Sequence, residues 1–175
     1  INDLLDLSRA DNQELTIDSQ AINLRTLVDT VSSSFEIGMK DKSLAFSTLV
    51  RADVPTEVKA DPTRLRQILY NLIGNAQKYT HTGSVRLLVS TVHSVDGLSQ
   101  RNLNGDQVAY VSFELTDTGI GIAKEHQSKL FTAFTQADAS VATRFGGTGL
   151  GLSICKQLSV LLGGDINFSS TQGQG

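Results

Sequence analysis

The chain has 175 residues, with 15 Lys+Arg against 18 Asp+Glu and a formal net charge of −3. That is about one domain's worth of material at roughly 100–200 residues per domain. With 39% apolar and 19% charged residues it can build a core, and it lacks the basic excess that nonspecific nucleic-acid binding draws on. The single cysteine, Cys155, excludes an internal disulfide and a cysteine-cluster zinc site. No apolar run nears the roughly 20 residues that span a bilayer, and the first residues do not read as a signal peptide. These features predict a soluble, cytoplasmic globular domain and leave function to local motifs.

In chain order, Ile1, Leu4 and Leu5 lie on one helical stripe with no start signal before them, so residues 1–9 read as the end of an upstream helix. A polar break follows, then a short strand at Leu15-Thr16-Ile17. Asn23 offers a cap to a helix whose apolar positions Leu24, Leu27, Val28, Val31 and Phe35 recur at helical spacing. Residues 43–50 alternate and predict a strand. Asp61-Pro62 is a cap followed by proline at the first helical position, opening a helix that runs to about Thr80.

Residues 84–93 and 109–117 predict two further strands, joined by a polar loop over 96–107. Residues 118–148 show no strand period, and a short helix is expected at about 125–131. Leu150, Ile154, Leu158 and Leu161 mark a last helix, stopped by Gly163-Gly164, and residues 166–169 begin another strand. Hairpin-linked strands among helices favour α+β layers over a doubly wound sheet.

The helix over 61–80 carries two contrasting faces. Leu65, Ile68, Leu69, Leu72, Ile73 and Ala76 form the core side, while Arg64, Gln67, Asn71, Asn75 and Lys78 share the other, with Tyr79 at its border. Asn is a poor helix-interior residue because its amide competes for backbone bonds, and here two stand four apart. One reading is an accidental polar face. The other is that the Asn75 amide oxygen coordinates a hard cation shared with phosphates, as suits Mg²⁺, with Lys78 a point charge one turn on.

Two glycine segments follow. Asp117-Thr118-Gly119-Ile120-Gly121-Ile122 leaves a strand and turns sharply, with a carboxylate at the strand end that could accept from an exocyclic amine such as adenine N6. Taken alone, the segment is better explained as a plain tight turn. Gly146-Gly147-Thr148-Gly149-Leu150-Gly151-Leu152 runs directly into a helix, so free N–H groups and the positive helix end converge as an anion site. It matches neither GxxxxGK[ST] nor the dinucleotide fingerprint. Phe131 and Phe134 would anchor the segment between these glycine runs to the core.

Together these residues resemble the ATP-binding catalytic domain of sensor histidine kinases, within the superfamily shared with gyrase, the large heat-shock chaperone and the mismatch-repair ATPase. The N-box is matched by residues 67–80, the first G-box by 117–122, the F-box by 131–134 and the second G-box by 147–152. The resemblance implies a two-layer α/β sandwich of the Bergerat type, with a mixed sheet and three main helices, the last strand being truncated. It divides the chain into the end of an upstream dimerisation and phosphoacceptor helix (1–10) and the ATP-binding domain (11–175), with an ATP lid at about 123–147.

The resemblance further implies that Asn75 binds Mg²⁺, that Asn71 and Lys78 contact phosphate or metal-bound water, and that Tyr79 flanks the base. These three polar residues, Asn71, Asn75 and Lys78, form the catalytic set. Asp117 would read the adenine amine, with Gly119, Gly121 and Ile122 shaping that pocket. Gly147, Thr148, Gly149, Leu150 and Gly151 would meet the phosphates, and Phe134 would anchor the lid. Gln136 stands where many relatives place an arginine, so Gln136 and Arg144 are alternative γ-phosphate contacts. Gln77, unusual in its slot, is expected to face outward.

The ATPase branches place a glutamate one turn before the Mg²⁺-binding asparagine, and Asn71 cannot take a proton in its place. The expected reaction is therefore transfer of the γ-phosphoryl group of Mg·ATP to a histidine on a separate phosphoacceptor domain of the same protein. His81, His93 and His126 do not fit the acceptor role. The 136–147 stretch resembles hybrid kinases, implying a downstream response-regulator receiver domain. The isolated chain is expected to be a monomer, and the parent a homodimer that is cytoplasmic or anchored in the inner membrane. A hydrolytic ATPase and a non-catalytic nucleotide-binding module are the competing readings.

Overall fold

A computed structural model describes residues 15–92, 110–133 and 149–175 of the chain. It contains β1 (Gln20–Asn23), α1 (Leu24–Asp41), β2 (Ala45–Val50), β3 (Glu57–Ala60), α2 (Pro62–Tyr79), β4 (Ser84–Val92), β5 (Tyr110–Asp117), α3 (Lys124–Gln127) and α4 (Gly151–Leu161). The expected helix over 1–9 and the loop over 96–107 lie outside the described residues.

The architecture is the expected α+β arrangement. A three-stranded mixed sheet has the order β2-β4-β5, with β2 parallel and β5 antiparallel to β4. A separate ribbon pairs β1 antiparallel with β3, setting Gln20 opposite Ala60 and Asn23 opposite Glu57. On central strand β4, Val85, Leu87 and Val89 are buried and Arg86 is exposed, which is the period-2 pattern of a sheet covered on one face.

Helices α1 and α2 cover that face. Leu24, Leu27, Val28 and Val31 of α1 join Leu65, Leu69, Ile73 and Ala76 of α2 and the inward residues of β4 in one cluster. Each fully buried aliphatic side chain there contributes about 1.5–3 kcal/mol relative to exposure. A second cluster unites Ile68 with Leu15, Leu150, Ile154, Cys155 and Leu158, and Leu72 packs against it. The apolar face of α2 is thus divided: part meets the sheet and α1, part meets α4. That division is what fixes α2 between the two glycine segments.

Both helix starts behave as expected. The Asn23 side chain accepts from Thr26 N at 3.0 Å, and Asp61 Oδ1 accepts from Thr63 N at 2.9 Å and Arg64 N at 3.1 Å. Asp61 is buried, and its Oδ2 also receives Asp18 N at 2.9 Å, tying the entering chain to the start of α2.

Three local expectations need correction. Leu15-Thr16-Ile17 is not a strand; Leu15 is held by burial against α4 rather than by a ladder. Residues 166–169 likewise form no strand among the described residues, although Ile166 packs on the second cluster. The short helix covers only Lys124–Gln127 and then loosens into turns. Strands β1 and β3, four residues each, were too short to carry a readable alternation.

Candidate nucleotide site

The site is assembled on α2. At its C-terminal end Thr80 closes the helix, its N–H donating to Ala76 O at 3.0 Å. Ile120 N donates to Tyr79 O at 3.3 Å, which joins the turn after β5 to the last residue of the helix. Within that turn Gly119 N donates to Asp117 Oδ1 at 2.8 Å, and the Thr80 hydroxyl donates to the same oxygen at 3.4 Å. The Asp117 carboxylate, half-buried at the strand end, is therefore held from two sides.

Gly119 is buried at this junction. A Cβ there would stand 2.7 Å from both Asp117 Oδ1 and Tyr79 O, so the close approach of strand end and helix end requires a residue without one. Beyond it, Ile122 N donates to Ser170 Oγ at 2.8 Å, and the Gln127 amide donates to Ile122 O at 2.8 Å and Ser170 O at 3.1 Å. The first glycine segment is thus buttressed by the chain that follows α4.

The second glycine segment meets α2 further back. At Gly151 a Cβ would lie 3.4 Å from Asn71 Oδ1, so the start of α4 touches the first of the two asparagines. At about 1.5 Å rise per residue, Asn75 stands roughly 6 Å along α2 from Asn71 and about 7.5 Å from Thr80. Along the helix it stands between the residue that Gly151 meets and the end that Gly119 meets. Asn71 and Asn75 are both half-buried. The Lys78 ammonium lies 4.8 Å from the centre of the Tyr79 ring, a cation–π contact at the same end.

Asn71, Asn75, Lys78 and Tyr79 lie along α2; Gly151 meets Asn71, with Leu150 packed near Ile68 and Gly149 before it. Asp117 and Gly119 meet the helix end, and Gly121 and Ile122 continue that turn onto residues 170–172. Phe134, Gln136, Arg144, Gly147 and Thr148 lie outside the described residues, as does His93. Arg64 and Gln67, on the same face nearer the start of α2, bond to each other at 3.0 Å. Gln77 does not face outward: its amide packs on Gly38 of α1, and a Cβ there would displace the end of that side chain. Sequence reasoning missed this contact, and it missed Thr80 and Lys42. The Lys42 ammonium donates to Gln77 O at 2.6 Å and Lys78 O at 3.4 Å, capping the site-bearing end of α2. A lysine after a helix carries no signal that it serves a different helix.

The donor set suits an ion held jointly with a ligand. Among the described residues there is no group of three or more His, Cys, Asp or Glu side chains that could hold a metal alone. Mg²⁺ typically retains waters and takes one or two protein oxygens plus phosphates, and an asparagine amide oxygen is a hard donor of that kind. Among the described residues, no helix is long and apolar enough to cross a membrane.

Comparison with known proteins agrees with this geometry. Residues 60–175 match the family described as histidine kinase-, DNA gyrase B-, and HSP90-like ATPase. The chain is 41% identical over 175 residues to the signal transduction histidine-protein kinase BarA of Escherichia coli strain K12, covering all of this chain and 18% of that protein. Among solved structures, full-length ShkA in complex with AMPPNP superposes with a TM-score of 0.79 at 31% identity, over 99% of this chain and 32% of that one. The histidine kinase AdeS of Acinetobacter baumannii gives a TM-score of 0.72 at 27% identity, over 98% of this chain and 71% of that one. The chain spans about a fifth of the length of the curated relatives it matches. With the family matched over residues 60–175 and a histidine kinase relative 41% identical along the whole chain, this chain belongs to the histidine kinase-, DNA gyrase B-, and HSP90-like ATPase family.

Proposed function

We propose that this chain is the catalytic, ATP-binding domain of a sensor histidine kinase and that it presents Mg·ATP to a histidine on a separate domain. The observation that carries the reading is the disposition of α2. Gly151 lies against Asn71, Thr80 and Gly119 lie on Asp117, and Asn75 stands between them. In this reading Asp117 accepts the adenine amine, Tyr79 flanks the base, and Gly149 and Gly151 turn backbone amides toward phosphate. When bound, Mg²⁺ would neutralise phosphate charge, with the Asn75 amide oxygen as its protein ligand and Lys78 adding a positive charge nearby.

Asn71 supports transfer over hydrolysis. An amide can orient a water or a phosphate oxygen but cannot take a proton from an attacking water. The domain's contribution is then positioning and charge neutralisation, the larger share of catalysis in phosphoryl transfer. His81 and His126 lie in the turn after α2 and within α3, not on an exposed acceptor helix. The acceptor would come from a helical-hairpin domain of the parent protein, a cytoplasmic homodimer portion, with a receiver domain taking the phosphoryl group onward.

The test is calorimetry with a non-hydrolysable ATP analogue, with and without Mg²⁺, on this chain and on Asn75→Ala. Binding should require Mg²⁺ for full affinity, and the substitution should weaken it by roughly 10–150-fold, the equivalent of about 1.5–3 kcal/mol for a charge-assisted contact. Unchanged affinity in Asn75→Ala would overturn the assignment. Phosphate appearing on an acceptor domain supplied in trans, without steady-state phosphate release, separates the kinase from a hydrolytic ATPase.

A further inference from the structure

Among the described residues of this site, Thr80 is the one whose side chain is fully buried and polar. A hydroxyl sealed from water needs an acceptor, and Asp117 Oδ1, at 3.4 Å, is the one it has among the described residues. Gly119 N reaches the same oxygen at 2.8 Å. Both donors therefore converge on Oδ1, and Oδ2 keeps its lone pairs. An ionised carboxylate is acceptor-only. Fixing one of its oxygens fixes the plane of the group and hence the direction in which the other can accept.

We infer that Thr80 is a positioning residue for base selection: by holding Asp117 Oδ1 it orients Oδ2 to accept from the exocyclic amine of adenine and to oppose the carbonyl that guanine carries at that place. The inference rests on the reading of Asp117 as the base-contacting residue. The chemistry is asymmetric, because adenine offers a donor at position 6 and guanine an acceptor. A carboxylate free to rotate could swing Oδ2 away, so it would bind adenine less well and repel guanine less. Thr80 is suited to the task because its backbone is already committed as the cap of α2, which leaves its hydroxyl a fixed origin.

The experiment compares the 175-residue chain with Thr80→Val, Thr80→Ser, Asp117→Asn and the Thr80→Val/Asp117→Asn double variant. Each is titrated with ADP and with GDP, and ADP is repeated without Mg²⁺. Thr80→Val, nearly isosteric, should weaken ADP by about tenfold, equally with and without Mg²⁺, and narrow the preference for ADP over GDP. Thr80→Ser should restore ADP affinity to within about twofold of the parent. In the Asp117→Asn background, Thr80→Val should add less than about twofold, since its effect runs through that carboxylate. An equal loss in both backgrounds, or an unchanged ADP-to-GDP ratio in Thr80→Val, overturns the inference while leaving the site in place. An Asp117→Asn variant that binds ADP as the parent does overturns the reading of the site itself, and Thr80's role falls with it.

Discussion

Gly119→Ala is the sharpest stability test of how the site is built. The added methyl would meet Asp117 Oδ1 and Tyr79 O, each at 2.7 Å, and Thr80 Oγ1 at 3.1 Å. Ordinary contact begins at 3.4 Å, so two atoms must each yield by about 0.7 Å. Neither yields freely. Tyr79 O is helix backbone bonded to Ile120 N, and Asp117 Oδ1 is held by two donors. Overpacking of this kind costs about 1–3 kcal/mol. At roughly 2–4 °C per kcal/mol for a chain of this size, the melting temperature should fall by about 2–12 °C. Because the carboxylate must move, ADP affinity should fall as well, and bound ADP should recover less Tm than it does in the parent. Thermal melts with and without nucleotide provide both readouts. A variant that matches the parent in Tm and in ADP affinity would show that the strand end and helix end are not in contact as described.

Two further substitutions probe the frame rather than the site. Gly74 sits inside α2, where a Cβ would find only Phe35 Cε1 at 3.9 Å, an ordinary contact. Gly74→Ala should therefore stabilise by about 0.5–1 kcal/mol through helix propensity, raising Tm by a few degrees; a fall in Tm would mean that α2 lies closer to α1 than this. Asp165 is held below the ordinary carboxylate value first by its hydrogen bond from Lys156 and then by one from the Ile166 backbone. A depressed folded pKa adds stability above the unfolded value, and that stability is lost as pH falls through the folded one. Asp165→Asn should accordingly melt slightly below the parent at pH 7, with the gap closing under acid conditions. A gap that persists in acid where the carboxylate is protonated in both the folded and the unfolded chain would contradict the assignment.

The parts of the fold that were legible are those where one residue type does one thing. Asp61 before Pro62 announces the start of α2 because a carboxylate at that spot accepts two backbone N–H groups, and the structure shows both bonds. Alternation over β4 was readable because the strand is nine residues long and buried on one side. Strands β1 and β3 were not, since four residues cannot distinguish a period of two from noise. Leu15 misled for a related reason: its burial is real, but it is bought by packing on α4, which is more than a hundred residues away in the chain.

At the site, legibility divided along a different line. Asn71, Asn75, Asp117 and the glycines stand out because each is chemically costly or conformationally odd where it stands, so a purpose could be sought for it. Thr80, Lys42 and Gly38 are ordinary residues in ordinary places, and only tertiary contact gives them a role. Lys42 lies just past the end of α1 yet caps α2, and Gly38 of α1 leaves room for the Gln77 amide. Both contacts act on the same turn of α2 that carries Lys78, Tyr79 and Thr80. The end of α2 is thus fixed by α1 on one side and by the turn after β5 on the other. A disturbance of α1 near Gly38 has a direct mechanical route to Asp117, through the backbone of two residues.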